Sequence, residues 1–346
     1  MSETLLRVKN LHVRFEGQDA VVHAVRGVDF EVARGETLGI VGESGSGKSV
    51  TQMAVMGLLG PNAVVTAEGL DFDGHDLLTT SASAQRRLRG RRIAMIFQDP
   101  MTSLNPFLTL GTQIAEVLRL HRGLRGRALR RATIEALAEV QIPRPELRVE
   151  QYPHEFSGGM RQRAMIAMMI AGRPDLLIAD EPTTALDVTV QAQILELLRE
   201  LQRERSMSII LITHDLGVVA GFAERVAVMY AGRIVEASAT EALFDAPAHP
   251  YTRGLLASIP RLDRDVESLR AIPGAPPDLS ALLRECPFRP RCAFAVKRCA
   301  EEEPGLLDRA LRPGTEHRAA CWREVHEVAA LEAAAAAAAP REEPLR

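Results

Sequence analysis

Cysteine is missing from the first 285 residues, and all four cysteines fall between Cys286 and Cys321. They therefore belong to one local feature and not to the main core. With no export signal ahead of them, a disulfide framework does not suit a reducing compartment, and a metal or cluster site or a group of free thiols is expected instead. Long apolar runs are lacking as well. The most apolar stretches, AMIAMMIAG (164–172) and IILIT (209–213), fall short of the roughly 20 residues needed to cross a bilayer, so any membrane must be crossed by other chains. The N-terminal MSETLLRVKNLHVRF has no charged segment followed by an apolar one, and the expectation is a chain that begins here without a secretory leader. An excess of either charge is missing too: the formal net charge of -3 gives no overall pull toward nucleic acid.

What is present fits one large domain with an appendage, or two modest domains, in 346 residues. The runs LRVKNLHVRF and VHAVRGVDFEV, then ETLGIVG, punctuated by Gly17 and Gly35, predict an antiparallel strand group feeding a buried strand. IAMIF (93–97), LLIAD (176–180) and IILIT (209–213) are continuously apolar, as suits strands covered on both faces in a largely parallel α/β sheet. Thr112 to Ala138 reads as helices inserted between strands, ended by Pro143, Pro145 and Pro153. Asp187 suits an N-cap, with Val190, Ile194, Leu197, Leu198 and Leu201 on one helical face as core packing. From about Ala246 the sequence becomes rich in Pro and Arg, which predicts a separate appendage remote from the core. AALEAAAAAAAPREEPLR predicts a short alanine helix fraying into a disordered tail.

The chemistry lies in three motifs. Gly42, Glu43, Ser44, Gly45, Ser46, Gly47, Lys48 and Ser49, followed by Val50, form G-x-x-x-x-G-K-S between an apolar strand and a helix-compatible run. Such a loop turns backbone N–H groups toward phosphate, and the helix start adds a favourable dipole. Lys48 is expected on the β and γ phosphates and Ser49 on Mg²⁺. In LLIADEPT, Asp180 ends a strand within reach of the metal, and Glu181 follows where it can orient a water against the γ-phosphate. Ser157, Gly158 and Gly159 of SGGMRQR make a second anion-binding helix start. One ATP hardly needs two cradles, so the second is expected to serve the nucleotide of another subunit.

The ordered set GESGSGKS, Gln98, SGGMRQR, LLIADEPT, ALD (185–187) and His214 after IILIT resembles the ABC ATPase cassette across roughly residues 5–240. FQDPMTSLNP (97–106), HEFSGGMRQR (154–163) and HPYT (249–252) resemble ATP-binding subunits of oligopeptide and dipeptide importers. The resemblance implies an α/β P-loop NTPase core over residues 1–245, with an antiparallel β subdomain and a helical subdomain at about 100–165. A small C-terminal extension of peptide-importer type at 246–325 and a low-complexity tail at 326–346 would follow. It also implies that Gln98 senses Mg²⁺ and the γ-phosphate and contacts the membrane subunit, and that Ser157, Gly158 and Gly159 close over the partner's ATP. His214 would contact the γ-phosphate and position the water with Glu181, with Asp187 at the dimer junction. Phe15 stands where the family often stacks an aromatic on adenine, although burial in a strand explains it as well. Phe156 replaces the common Leu before SGG, and Val50 a common Thr; neither removes a catalytic group.

The cysteine gaps, C-x5-C-x6-C-x21-C at Cys286, Cys292, Cys299 and Cys321, match neither short zinc pairs nor common ferredoxin spacings. Some peptide-importer ATPases hold a 4Fe-4S cluster in a segment that looks like this one, with zinc and free thiols as the alternatives. The whole resemblance implies an ATP hydrolase that energises import of peptides or similar small solutes. Its partners would be a related second ATPase chain, two transmembrane permease subunits and an extracytoplasmic solute-binding protein, and its place the cytoplasmic face of the cell (inner) membrane, as a peripheral protein. Import of another solute such as nickel is the alternative. A non-transport ABC ATPase acting on nucleic acid fits less well, because Ser49 and Ser157 are a cassette-sized interval apart, and two cassettes in one chain are excluded by the single GKS and single SGG.

Overall fold

The computed structural model describes residues 3–18, 20–99, 103–184, 186–259, 272–280, 283–310 and 316–338. Pro100, Met101 and Thr102 of the FQDPMTSLNP stretch, Ala185 of ALD and the last eight residues of the tail, 339–346, lie outside the described residues. Two sheets organise the rest. β1 (Thr4–Glu16) and β2 (Val21–Ala33) pair antiparallel, because Leu6, Val8, Leu11 and Val13 supply one buried face and register shifts keep it inward.

The second sheet has the order β12-β13-β11-β10-β3-β9-β8-β7. Its centre is parallel, built from β3 (Thr37–Val41), β7 (Ile93–Ile96), β8 (Leu176–Asp180), β9 (Ser208–Thr213) and β10 (Arg225–Tyr230). All residues of β3, β7, β8 and β9 are buried, as continuous apolar runs require when both faces are covered. Between the two sheets lies helix α1 (Lys48–Met56); Ala54, Val55 and Met56 join one core with Leu6, Leu11, Ile40 and Ile212. Short strands β4 (Ala63–Thr66), β5 (Gly69–Phe72) and β6 (His75–Asp76) complete the antiparallel sheet. Carboxyl ends of neighbouring parallel strands thus face one edge, where ligands bind in open α/β sheets.

A helical layer covers the β7 and β8 side. It comprises α2 (Leu110–Arg122), capped by Thr109 and ended at Gly123, α3 (Gly126–Glu139) and α4 (Gly158–Ile170). Leu110, Ile114 and Leu118 meet Leu137, Ile166 and Ile170 in one core with the sheet. Helix α5 (Val188–Arg205) starts at the expected cap, where Asp187 Oδ1 accepts the Val190 N–H at 2.9 Å. Ile194, Leu197, Leu198 and Leu201 are buried, while Val190 is only half-buried.

The C-terminal segment is not the detached appendage the composition suggests. β11 (Arg233–Ala239) pairs with β13 (His317–Ala319), and β12 (Leu307–Asp308) pairs with β13, so the extension lengthens the main sheet. Glu236 of β11 is fully buried and accepts N–H groups of Ala248 (2.7 Å) and His249 (2.9 Å). It also meets His317 Nε2 at 2.7 Å. One carboxylate thereby ties β11, the turn before helix α6 (Pro250–Ala257) and β13 together. Burial pushes the His249 imidazole down to about 4, so it is neutral at pH 7 and its Nδ1 accepts the Tyr251 N–H at 3.0 Å. The alanine run is helical, as α7 (Val325–Ala338).

Glu236→Ala strands two buried N–H donors and one imidazole, and should cost about 3 kcal/mol of stability. Urea unfolding monitored by circular dichroism would check this, and an unchanged midpoint would show that Glu236 does not tie these segments.

Candidate active site

The loop after β3 curls because its glycines accept conformations and approaches that other residues cannot. Gly47 has φ 101°, and a Cβ there would stand 2.6 Å from the Ala24 carbonyl oxygen. At Gly42 a Cβ would lie 2.2 Å from the Met229 carbonyl oxygen. The curl encloses Lys48, whose side chain is buried and whose Nζ donates to the carbonyls of Gly42 (2.7 Å) and Glu43 (2.9 Å), with Ser46 Oγ at 3.4 Å. Burial lowers the Lys48 pKa, against the opposing pull of Glu181, Asp180 and Glu43. Ser44 and Gly45 are exposed at the mouth. Behind the loop, half-buried Val50 packs into the core.

Ser49 Oγ donates to Asp180 Oδ1 at 3.0 Å, so hydroxyl and carboxylate from elements 131 residues apart already stand side by side. Burial raises the Asp180 pKa and the neighbouring Glu181 charge adds to it, while Ser49 and Lys48 oppose. Glu181, just beyond β8, has φ 46°, a left-handed conformation uncommon for this residue type. Its N–H donates to the Ile212 carbonyl of β9 at 2.9 Å. Its carboxylate is the meeting point of neighbouring strand ends: Gln98 Nε2 donates to it at 3.1 Å and His214 Nδ1 lies at 3.2 Å. Thr184 Oγ1 donates at 2.8 Å. Burial pushes the Glu181 pKa up, but Thr184, His214 and Lys48 together outweigh it and leave the carboxyl below its usual range. Thr184 was not singled out by sequence; its only signal was its place in EPTT.

Ser157 caps α4 by accepting the Met160 N–H at 3.4 Å. Ser157 and Gly158 are exposed, and a Cβ on Gly159 would meet Val190 Cγ1 at 2.7 Å, which explains why the helix start can lie flat against α5 beside Asp187. This cradle belongs to the helical layer, whereas the Lys48 loop belongs to the sheet. Phe15 lies in β1, paired with Val22 and Ala63, and is half-buried at the edge of the antiparallel core.

Glu43 shows what motif reading missed most. Its N–H donates to Tyr251 Oη at 2.8 Å, and its carboxylate accepts both terminal nitrogens of Arg291 at 2.7 and 2.9 Å. The extension therefore touches the loop itself, contrary to the expectation of a remote segment. Only HPYT, a resemblance, pointed to Tyr251.

None of Cys286, Cys292, Cys299 and Cys321 is in a disulfide. Cys286, Cys292 and Cys299 sit in one apolar cluster with Tyr230, Tyr251 and Phe288. Burial pushes Cys286 up to about 12 and Cys292 up to about 11, and neighbouring cysteines push both further in the same direction. Burial raises Cys321 too, with Cys299 adding to it. The Val296 N–H donates to Cys299 Sγ at 3.5 Å, and nearby backbone N–H groups oppose the upward shifts of Cys286, Cys292 and Cys321. Among the described residues, no group of three or more His, Cys, Asp or Glu side chains that could hold a metal ion is found.

The ABC transporter family profile matches residues 25–184, and the profile of the oligopeptide/dipeptide transporter C-terminal region matches residues 235–299. The oligopeptide transport ATP-binding protein OppD of Haemophilus influenzae is 54% identical over 295 residues, covering 85% of this chain and 91% of the relative. The dipeptide transport ATP-binding protein DppD of Bacillus subtilis is 52% identical over 321 residues, 92% of this chain and 95% of the relative. Among solved structures, a dimeric ATP-binding cassette in a post-hydrolysis state with ADP and Pi superposes with a TM-score of 0.62 at 26% identity, covering 68% of this chain and 99% of that one. With the phosphate loop, the strand-end carboxylates and the C-terminal region all matched in order, the chain belongs to the ABC transporter family of ATP hydrolases, among the oligopeptide/dipeptide ATP-binding subunits.

Proposed function

We propose that this chain hydrolyses ATP at a site shared with a second, related ATPase chain and so energises uptake of peptides. Its other partners in this reading are two transmembrane permease subunits and an extracytoplasmic solute-binding protein, and it works at the cytoplasmic face of the cell membrane. No helix among the described residues is long and apolar enough to cross a membrane. The observation that carries the reading is the convergence of Gln98, Thr184 and His214 on Glu181 beside Lys48 and Asp180. Relatives named for oligopeptide and dipeptide transport, and the C-terminal match, favour peptides over nickel and over action on nucleic acid.

In this mechanism Lys48 exchanges its carbonyl partners for β and γ phosphate oxygens, and amides of the loop other than that of Glu43, which is held by Tyr251, cradle the phosphates. Ser49 and Asp180, with Gln98, would hold Mg²⁺, and their oxygen donors suit a hard cation that keeps several waters. When bound, Mg²⁺ would supply positive charge that offsets the charge of the phosphates. Glu181, ionised and steadied by Thr184 and His214, orients the attacking water, and His214 reaches the γ-phosphate. Phe15 stacks on adenine. Ser157, Gly158 and Gly159 close over the partner's ATP next to Asp187, as befits an exposed helix start; the similar solved cassette is itself a dimer. Gln98 leads into the loop that meets the permease.

For the cysteines, the same reading favours a 4Fe-4S cluster. A zinc ion would draw four sulfurs within about 4 Å of one another. The cluster proposal rests on the resemblance and on the gathering of Cys286, Cys292 and Cys299 in one buried cluster; no group of three or more His, Cys, Asp or Glu that could hold a metal ion is found among the described residues.

Glu181→Gln in the transporter reconstituted into vesicles should keep MgATP binding, hydrolyse at least about 100-fold more slowly and lose ATP-dependent uptake of a labelled peptide. Near-normal turnover would remove Glu181 from water orientation, and normal hydrolysis without any peptide uptake by the wild type would overturn the transport reading. Separately, chain purified without oxygen should be brown and carry about four irons. One zinc per chain, or four titratable thiols with no metal after reconstitution, would contradict the cluster.

A further inference from the structure

Every polar group of Glu43 is engaged by something other than a nucleotide. Its carbonyl accepts from Lys48 Nζ, its N–H donates to Tyr251, and its carboxylate holds Arg291. Arg291 is nearly fully buried and uses its fork completely: Nε donates to the Pro273 carbonyl at 2.9 Å, and Nη2 also reaches the Ile272 carbonyl at 3.3 Å. Hydrogen bonding to Glu43 raises the Arg291 pKa against desolvation, so the guanidinium stays charged. Its planar group lies over Tyr230 (5.8 Å) and Phe288 (5.9 Å), and the Tyr230 and Tyr251 rings are 4.6 Å apart. A bidentate guanidinium–carboxylate pair fixes direction as well as distance.

Other ties hold the same face. The His23 N–H donates to the Leu279 carbonyl at 2.9 Å, and Arg26 of β2 pairs with Glu303 at 2.8 Å. Gly232 donates its N–H to the Ser46 carbonyl at 3.0 Å. The extension thus grips both the phosphate loop and the strand opposite Phe15.

We propose that Arg291 and Tyr251 are positioning residues for nucleotide binding: they fix the Glu43 peptide, and through it the place where Lys48 waits. Holding the loop in one conformation before ATP arrives removes an ordering cost from binding. The C-terminal extension accordingly sets the ATP affinity of a site whose loop residue Glu43 lies 248 residues before Arg291 in the chain. This rests on the reading of Gly42–Ser49 as the phosphate loop.

The test is titration of the purified full chain with a fluorescent ATP analogue and Mg²⁺, alongside thermal unfolding without nucleotide. Arg291→Met and Glu43→Gln should each raise Kd about tenfold, Arg291→Lys less, and the double variant Glu43→Gln/Arg291→Met no more than either single change. Tyr251→Phe, which removes one hydroxyl, should raise Kd in the same direction. A purely structural role would lower the unfolding temperature and leave Kd within about twofold; that result, or additive effects of Glu43→Gln and Arg291→Met, overturns the proposal. If Arg291→Met does not fold, the cycle is closed with Arg291→Lys. Lys48→Ala separates the two claims: if it binds nucleotide normally, the phosphate-loop reading fails first.

Discussion

A buried cation organises this molecule. Lys48 is withdrawn from water, and a charge in that position is tolerated only where oxygens surround it. The loop bends its Gly42 and Glu43 carbonyls inward to meet the ammonium, which requires the glycine conformations and close approaches at Gly42 and Gly47. Asp180 and Glu181 stand close enough to favour the charged lysine, which requires β8 to end beside β9, level with the loop after β3. The parallel sheet is the frame that satisfies both demands, and its unbroken apolar strands follow from its being covered on two faces.

The same arrangement leaves Glu181 as the common partner of Gln98, Thr184 and His214. These residues come from the ends of three adjacent strands, so a shift of any strand would disturb the carboxylate. The positive φ of Glu181 aims the side chain at this crossing instead of along the strand. A backbone hydrogen bond to Ile212 holds it there, which is how a locally unfavourable conformation persists.

Much of this was legible in the sequence, for a local reason. Apolar runs of strand length, the glycine spacing before Lys48 and the Asp187 cap are all written within a few residues, and each element formed where its pattern lies. What could not be read depends on pairing across the chain. Nothing near Glu236 announces that it will meet His317, and nothing near Glu43 announces Arg291, 248 residues away. The Pro- and Arg-rich texture after Ala246 marks a change of composition; it carries no information that β13 will join β11. Composition separated the extension, and hydrogen bonding reattached it.

The proposed function gives one chain two unlike halves of an ATP site, the Lys48 loop and the Ser157–Gly159 helix start, each completed by a partner. Amide hydrogen exchange on the Glu181→Gln complex, with and without MgATP, reads both halves at once. Nucleotide should protect the amides of residues 42–49 and of 158–160 together in the paired complex, and only those of 42–49 in the lone chain. Protection confined to 42–49 in the paired complex would contradict the proposed function.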